Sequence, residues 1–221
     1  MSNAGSGFWG NGYLSIGDLL AHQVVDTLPG DGTMQIIGIS VNNQTLDSRR
    51  FSLYITAPDG VTPRHYLYRN TPLGSNVTVA GATRYILDGG RRVMFKADGA
   101  GVSAFVSGCF DGSNATGSWV RDVVTDGTNV ECDLVVSRKN EAPKQLVSIS
   151  VGNQNDQSGH FSVFITEEDG VTPHHYVYHD VLLGSSVTIE DVTRHILSNG
   201  RKLRCRSNRS GISFLVSGGA I

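Results

Sequence analysis

Apolar residues alternate with Gly, Ser or polar residues along much of the chain, the period-two pattern of half-buried strands. Ile37, Ile39 and Val41 form one such set, and Val147, Ile149 and Val151 form another. Phe51, Leu53 and Ile55 repeat the pattern, as do Phe161, Val163 and Ile165. Val77 with Val79, Val93 with Phe95, and Val102, Ala104 and Val106 come later in the chain. Val130, Cys132, Leu134 and Val136 extend it and place Cys132 inside as a small apolar filler. Asp59-Gly60 and Asp169-Gly170 fall between strand patterns, where a Gly takes positive φ and an Asp suits the turn. Thr83-Arg-Tyr-Ile-Leu87 and Thr193-Arg-His-Ile-Leu197 are the only helix-like pieces. Asp191 is placed to cap the second of them and Gly200 to end it, giving a helix of one or two turns.

The pattern occurs twice. Asp59-Gly-Val-Thr-Pro63 recurs unchanged as Asp169-Gly-Val-Thr-Pro173, an offset of 110 residues (169 − 59). At that offset, without a gap, Val41-Asn-Asn-Gln44 meets Val151-Gly-Asn-Gln154, and Phe51-Ser-Leu-Tyr-Ile-Thr56 meets Phe161-Ser-Val-Phe-Ile-Thr166. His65-Tyr-Leu-Tyr68 meets His175-Tyr-Val-Tyr178, and Val106-Ser-Gly108 meets Val216-Ser-Gly218. The heads match more weakly, Gly7 on Gly117, Trp9 on Trp119 and Gly17 on Gly127. The chain therefore reads as a tandem duplication, residues 1–110 and 111–221, with an N-terminal arm over about residues 1–16. Leu28-Pro-Gly-Asp-Gly32 and Asn140-Glu-Ala-Pro-Lys144 are internal turns. Each unit is expected to hold about six or seven short strands in an all-β, antiparallel β-sandwich, Ig-like or jelly-roll-like. Periodicity alone leaves sandwich and barrel closure both open.

Composition agrees. Charged residues are only 17% and Gly numbers 27 of 221, which suits strands and tight turns rather than a helical bundle. A net charge of −2 supplies no general attraction to nucleic acid or anionic membrane, so neither is an expected partner. No apolar run approaches the roughly 20 residues of a membrane helix, and no basic segment followed by an apolar core opens the chain. Cys109, Cys132 and Cys205 fall on Gly219, His22 and Phe95 in the other copy. A disulfide framework would repeat with the unit, so reduced thiols are expected. Asn43-Gln-Thr45 and Asn76-Val-Thr78 fit the glycosylation triplet by chance on this reading.

Candidate chemistry is sparse. Gly5-Ser-Gly-Phe-Trp-Gly10 satisfies G-x-G-x-x-G, but no strand precedes it and no βαβ unit comes after it. There is no P-loop, C-x-x-C, H-E-x-x-H or G-x-S-x-G, so no catalytic residue, metal site or cofactor is expected, and the chain is not expected to be an enzyme. Alternation places Tyr66 with Tyr68, and Tyr176 with Tyr178, on one face of their strands, beside His65 and His175. Such pairs stack on sugar rings, anchor a protein interface, or simply close the edge of a core. The second copy is His-rich, with His160, His174, His175, His179 and His195 where the first has Arg50, Arg64, His65, Arg69 and Tyr85. Positive character survives that exchange and ligand chemistry does not, which favours a polar contact surface over a metal site. Arg91, Arg92 and Lys96, with Arg201, Lys202, Arg204, Arg206 and Arg209, form a basic stripe that suits the solvated face of an edge strand. Phe8, Trp9 and Tyr13, set among glycines, read either as a docking arm or as a plain first strand.

The order of segments resembles a known family. An apolar strand ends in Val-x-Asn, then come Phe-Ser-Leu-Tyr-Ile-Thr, an Asp-Gly loop, a Gly-Ser-x-Val-Thr-Val strand, Leu-x-x-Gly-Arg-Arg-Val, and a closing Val-Ser-Ala-Phe-Val-Ser-Gly. This is similar to the small β-sandwich domains of accessory virion structural proteins of tailed bacteriophages, of neck, collar, tail or capsid-decoration type. The resemblance implies a non-enzymatic structural protein made in the host bacterial cytoplasm and carried in the virion. Its partners would be other virion proteins and copies of itself. A carbohydrate-binding or adhesin module, holding a surface glycan on the tyrosine strands, is the alternative.

Overall fold

The structure is a computed structural model that describes residues 8–27, 33–87, 89–111, 119–191, 195–198 and 200–220. At 8, 9, 82–84, 109–111, 119–121 and 220 it describes the backbone alone. The chain divides into two compact units, Met1–Ala115 and Thr116–Ile221. All regular elements among the described residues are strands.

Among its described residues the first unit holds eight strands, more than periodicity predicts: β1 (Phe8–Ile16), β2 (His22–Asp26), β3 (Thr33–Asn43), β4 (Arg49–Thr56), β5 (Pro63–Leu73), β6 (Thr78–Leu87), β7 (Arg92–Ala97) and β8 (Ala100–Asp111). They form two four-stranded antiparallel sheets, in the orders β1-β8-β3-β6 and β2-β7-β4-β5. Successive strands swap sheets except at the β4–β5 hairpin, the two interlocked Greek keys of a jelly roll, so the jelly-roll form of the sandwich holds.

The second unit repeats this order with β9 (Trp119–Asp126), β10 (Cys132–Val136), β11 (Lys144–Asn153), β12 (Gly159–Thr166), β13 (Pro173–Leu183), β14 (Thr188–Asp191), β15 (His195–Leu197), β16 (Lys202–Ser207) and β17 (Ser210–Ala220). One sheet is β10-β16-β12-β13, and the other is β14-β11-β17-β9 with β15 also on β11. The core of each unit lies between its sheets. Phe51, Leu53, Ile55, Val93, Phe95, Val102, Ala104 and Val106 are all buried in the first, and Phe161, Val163, Ile165, Leu203, Cys205, Ile212, Phe214 and Val216 in the second.

The expected short helix is not formed. Tyr85, Ile86 and Leu87 pair in β6 with Ile36, Gln35 and Met34, and His195–Leu197 pair with Leu146–Lys144. Asp191 lies in the ladder opposite Ile149, while Thr193 and Arg194 lie outside the described residues. Five residues are too few to repay helix nucleation, whereas an open strand edge offers hydrogen bonds at once. Gly200 instead makes a tight turn at φ +88°, where a Cβ would stand 2.9 Å from the Glu168 carbonyl oxygen.

Three alternation sets also shift; in one, a β-bulge between Leu146 and Ser148 puts Leu146 in the core and leaves Val147 half-buried. Another between Ile36 and Gly38 leaves Ile37 exposed, so the inward set is Met34, Ile36, Ile39 and Val41. A third bulge between Asp133 and Val135 puts Leu134 and Val135 both in the core, and Val130 is exposed before the strand begins. Cys132 is half-buried and packs against the core, as expected. The Asn140 turn is present, with Asn140 at φ 67°, while the Leu28–Gly32 turn lies outside the described residues.

Repeated polar residues turn out to hold loops. The Asn43 amide nitrogen donates to the carbonyls of Asp47 (2.8 Å), Gly74 (2.9 Å) and Leu73 (3.2 Å). Its oxygen accepts from the Thr45 backbone N–H and hydroxyl. Asn153 repeats the arrangement on Gln157, Gly184 and Leu183, with Asn155 N–H as donor to it. Asn43 is fully buried and its amide is committed, so it offers no glycosylation site in the folded chain. Asp59 accepts from the backbone N–H groups of Val61 and Thr62 and from the Thr62 hydroxyl. Asp169 does the same with Val171 and Thr172. Both carboxyls sit below the usual range, chiefly through the threonine hydroxyl. The repeated acids belong to turn geometry, as the sequence suggests.

Candidate interaction surfaces

The tyrosine strands do not carry paired tyrosines on one face. In β5, Tyr66 pairs with Tyr54 and Tyr68 with Leu53: two residues advance against one, a bulge at Leu67. A bulge reverses the inside–outside parity of the residues beyond it until another bulge restores it. Tyr68 therefore points inward, its ring 5.3 Å from the core ring of Phe51 and its hydroxyl 4.0 Å from where a Cβ on Gly81 of the facing sheet would stand. Tyr66 points outward, 5.1 Å from Tyr54, with the Arg69 guanidinium 5.8 Å from its centroid.

The second unit repeats the split. Tyr178 packs inward at 5.4 Å from Phe161, and Tyr176 outward at 5.4 Å from Phe164. Burial, with the nearby Asp191 charge, pushes the Tyr178 hydroxyl up to about 12. His65 is fully buried beside Ile55, whereas its copy His175 is exposed. The same bulge puts His175 and His179 on opposite faces; His179 meets Tyr176 edge-on at 4.4 Å.

The other histidines are held by local partners. His174 lies 2.7 Å from Glu167, His160 3.4 Å from Asp180, and the His175 and His195 rings are 6.2 Å apart. Burial lowers the His195 pKa, against the pull of Asp191. The basic stripe is only partly ion-paired, and its strand members lie on β7 and β16, inner strands of their sheets and not the expected edge strands. Lys202 and Arg204 each meet Asp133 at 2.8 Å, Arg204 and Arg206 meet Glu131, and Arg92 meets Asp26 at 3.0 Å. Arg91 is buried and donates to the Thr56 carbonyl.

Phe8–Ile16 is a strand paired along β8, with Trp9 opposite Gly108, Tyr13 opposite Ala104 and a register shift between Leu14 and Ile16. The side chains of Phe8 and Trp9 lie outside the described residues. Tyr13 stacks on His22 at 4.3 Å and 14° and comes within 6.3 Å of Phe95.

Sequence reasoning missed a difference between the two loop ends. In the first unit Ile16 ends β1 and Leu19 and Leu20 lie in the loop to β2. Leu46 lies in the β3–β4 loop, which is tied to Gly101 by the Gln44 N–H. These four are 73%, 54%, 63% and 86% exposed. At the offset of 110 their counterparts are Asp126, Asn129, Val130 and Asp156. There the second unit has a polar cleft of about 480 Å³, lined by Asp126, Asn155, Asp156, Gln157, Asn208 and Arg209. The exchange of leucine for acid or amide at matched positions was readable from the self-alignment. It lies outside the strand patterns, where periodicity gives no reason to look.

Among the described residues no three His, Cys, Asp or Glu side chains are grouped to hold a metal ion. No helix among them is long and apolar enough to cross a membrane.

No protein-family model matches the chain, and no curated protein matches it. Solved structures do. The STIV MCP is 9% identical, with 97% of each chain covered and a TM-score of 0.32. A protein of infectious bursal disease virus, Gx strain, is 10% identical, with 96% of this chain and 72% of that one covered and a TM-score of 0.28. A protein from an archaeal virus, described by its triple jelly roll fold and turret assembly, is 15% identical, with 98% and 55% covered and a TM-score of 0.29. Likeness this distant says nothing of what the chain binds or does, and the tandem jelly roll rests on strand order within each unit.

Proposed function

We propose that the chain is a non-enzymatic virion structural protein that acts by protein–protein contact with other virion proteins and with copies of itself. The finer reading is an accessory component of a tailed phage at the neck, tail or capsid surface, made in the host bacterial cytoplasm. The observation that carries the assembly reading is the apolar loop end of the first unit. Ile16, Leu19, Leu20 and Leu46 are exposed there, and the duplicated unit has polar residues at three of the four places. Exposed apolar groups gathered at one end of a domain are a contact surface far more often than a solvated one. Jelly rolls also serve repeatedly as capsid modules, although they serve as lectins too.

The repeated polar residues Asn43, Asp59 and their copies are consumed in holding loops, which leaves shape as what the duplication preserved. The paired-tyrosine platform that a sugar-binding reading needs is formed in neither unit.

Light scattering on the size-exclusion peak, over a hundredfold range of protein concentration, tests the reading. The expected result is concentration-dependent association, weakened about tenfold or more in the Leu19→Ser/Leu20→Ser/Leu46→Ser variant. A strict monomer over the whole range, alike in both proteins, overturns it.

A further inference from the structure

Two of the three cysteines are brought face to face. Cys132 in β10 is registered directly opposite Cys205 in β16. Directly opposed residues of an antiparallel pair project to the same face with Cα atoms about 4.5–5.5 Å apart, inside the roughly 4.4–6.8 Å that a disulfide spans. Both thiols are free; Cys205 is fully buried, and Cys132 is half-buried against the core cluster to which Cys205 belongs. The first unit places His22 opposite Phe95 at the matching positions, so both members of the pair became cysteine in one copy. β10 is an edge strand whose one ladder partner among the described residues is β16, through four registered pairs broken by a bulge at Asp133/Val135. A covalent tie there would secure the weakest edge of that sheet.

We propose that Cys132 and Cys205 form a cross-strand disulfide by exchange with an oxidised low-molecular-weight disulfide such as oxidised glutathione. The half-exposed Cys132 loses its proton and attacks one glutathione sulfur, forming a mixed disulfide and releasing the first glutathione thiol. Cys205 then loses its proton and attacks the Cys132 sulfur, forming the protein disulfide and releasing the second. Two protein thiols are oxidised by two electrons, one oxidised glutathione becomes two reduced molecules, and the two protons leave on them. Burial holds the Cys205 thiol far above its ordinary range. The second step is therefore the slow one, and it quickens as pH rises. The pair stays reduced in a reducing cytosol and closes in an oxidising medium.

The test is incubation of the folded, full-length protein with oxidised glutathione at pH 8, followed by digestion without reduction and mass spectrometry. The expected product is one peptide pair joined through Cys132 and Cys205, an intact mass lower by two hydrogens, and a thermal midpoint raised by several degrees. Glutathione adduct on Cys132 accumulates before the link at pH 7, less so at pH 9, and persists in Cys205→Ser. Three free thiols after prolonged incubation overturn the proposal. So does an adduct on Cys132 that never resolves, or a link through Cys109.

Discussion

Phe161 and Phe214 meet edge-on in the second unit, ring centroids 5.9 Å apart and planes at 67°. In the first unit Phe51, the copy of Phe161, packs instead against Phe95 at 6.3 Å. The second ring comes from β7 of the same sheet in one unit and from β17 of the facing sheet in the other. At the matched positions Phe95 becomes Cys205 while Ala104 becomes Phe214. One ring's volume moved across the core and was conserved, as a close-packed interior requires.

A double-mutant cycle tests this exchange. Phe214→Ala is expected to destabilise the second unit by about 3–5 kcal/mol through the cavity it leaves. Cys205→Phe alone overpacks the site at about 1–3 kcal/mol. The two together are expected to cost less than their sum by about 1 kcal/mol or more, read from urea unfolding. Additive costs would mean that the two rings occupy separate spaces.

The bulge in β5 gives its tyrosines unequal weight. Tyr68→Ala removes a ring from between the sheets and is expected to cost about 2–3 kcal/mol. Tyr66→Ala removes an outer stack on Tyr54 worth about 0.5–1.5 kcal/mol. Chemical denaturation of the two variants decides the order; equal losses would place both rings in one environment.

The tyrosine strands also mark the limit of what alternation can foretell. Strand existence, the duplication and the core sets of Phe51 and Phe161 were legible, because period-two burial is written directly in residue type. The side on which Tyr68 lies was not, since one extra residue at Leu67 turns it inward, a second bulge restores the parity by Thr71, and neither leaves a trace in composition. The segment Thr83–Leu87 failed for a different reason: its helical spacing is local, and the open edge of β3 that claims it is not. The turn role of Asp59 was readable, because Asp-Gly carries its own backbone preference. The loop-holding role of Asn43 was not, since its acceptors lie up to 31 residues away.

Asn43 and Asn153 are expected to be among the most sensitive polar positions. Each amide serves three carbonyls from inside the fold, so truncation leaves several buried acceptors unpaired. Asn43→Ala is expected to cost about 2–4 kcal/mol, at about 1 kcal/mol or more for each bond lost. Asn43→Asp should be worse than Ala at pH 7, because a carboxylate would face carbonyl oxygens with no proton to donate. The deficit should narrow towards pH 4, where the carboxyl protonates. Thermal midpoints of the three proteins at the two pH values are the measurement, and an aspartate variant as stable as wild type at pH 7 would contradict this geometry.

His195 makes the stability of the second unit depend on pH. Its pKa is lowered in the fold, first by burial and then by the neighbouring His175, with Asp191 pulling the other way. A histidine depressed below its unfolded value binds fewer protons folded than unfolded in the window between the two. Stability is therefore full above the unfolded value of about 6.5 and is lost as pH falls from there to the folded pKa. Below that pKa the loss stops growing, because both states are then protonated. The first unit has Tyr85 at this position. Unfolding midpoints between pH 8 and pH 5 should fall in wild type and fall less in His195→Tyr, which carries the first unit's residue. Identical slopes in the two proteins would show that the acid-sensitive group lies elsewhere.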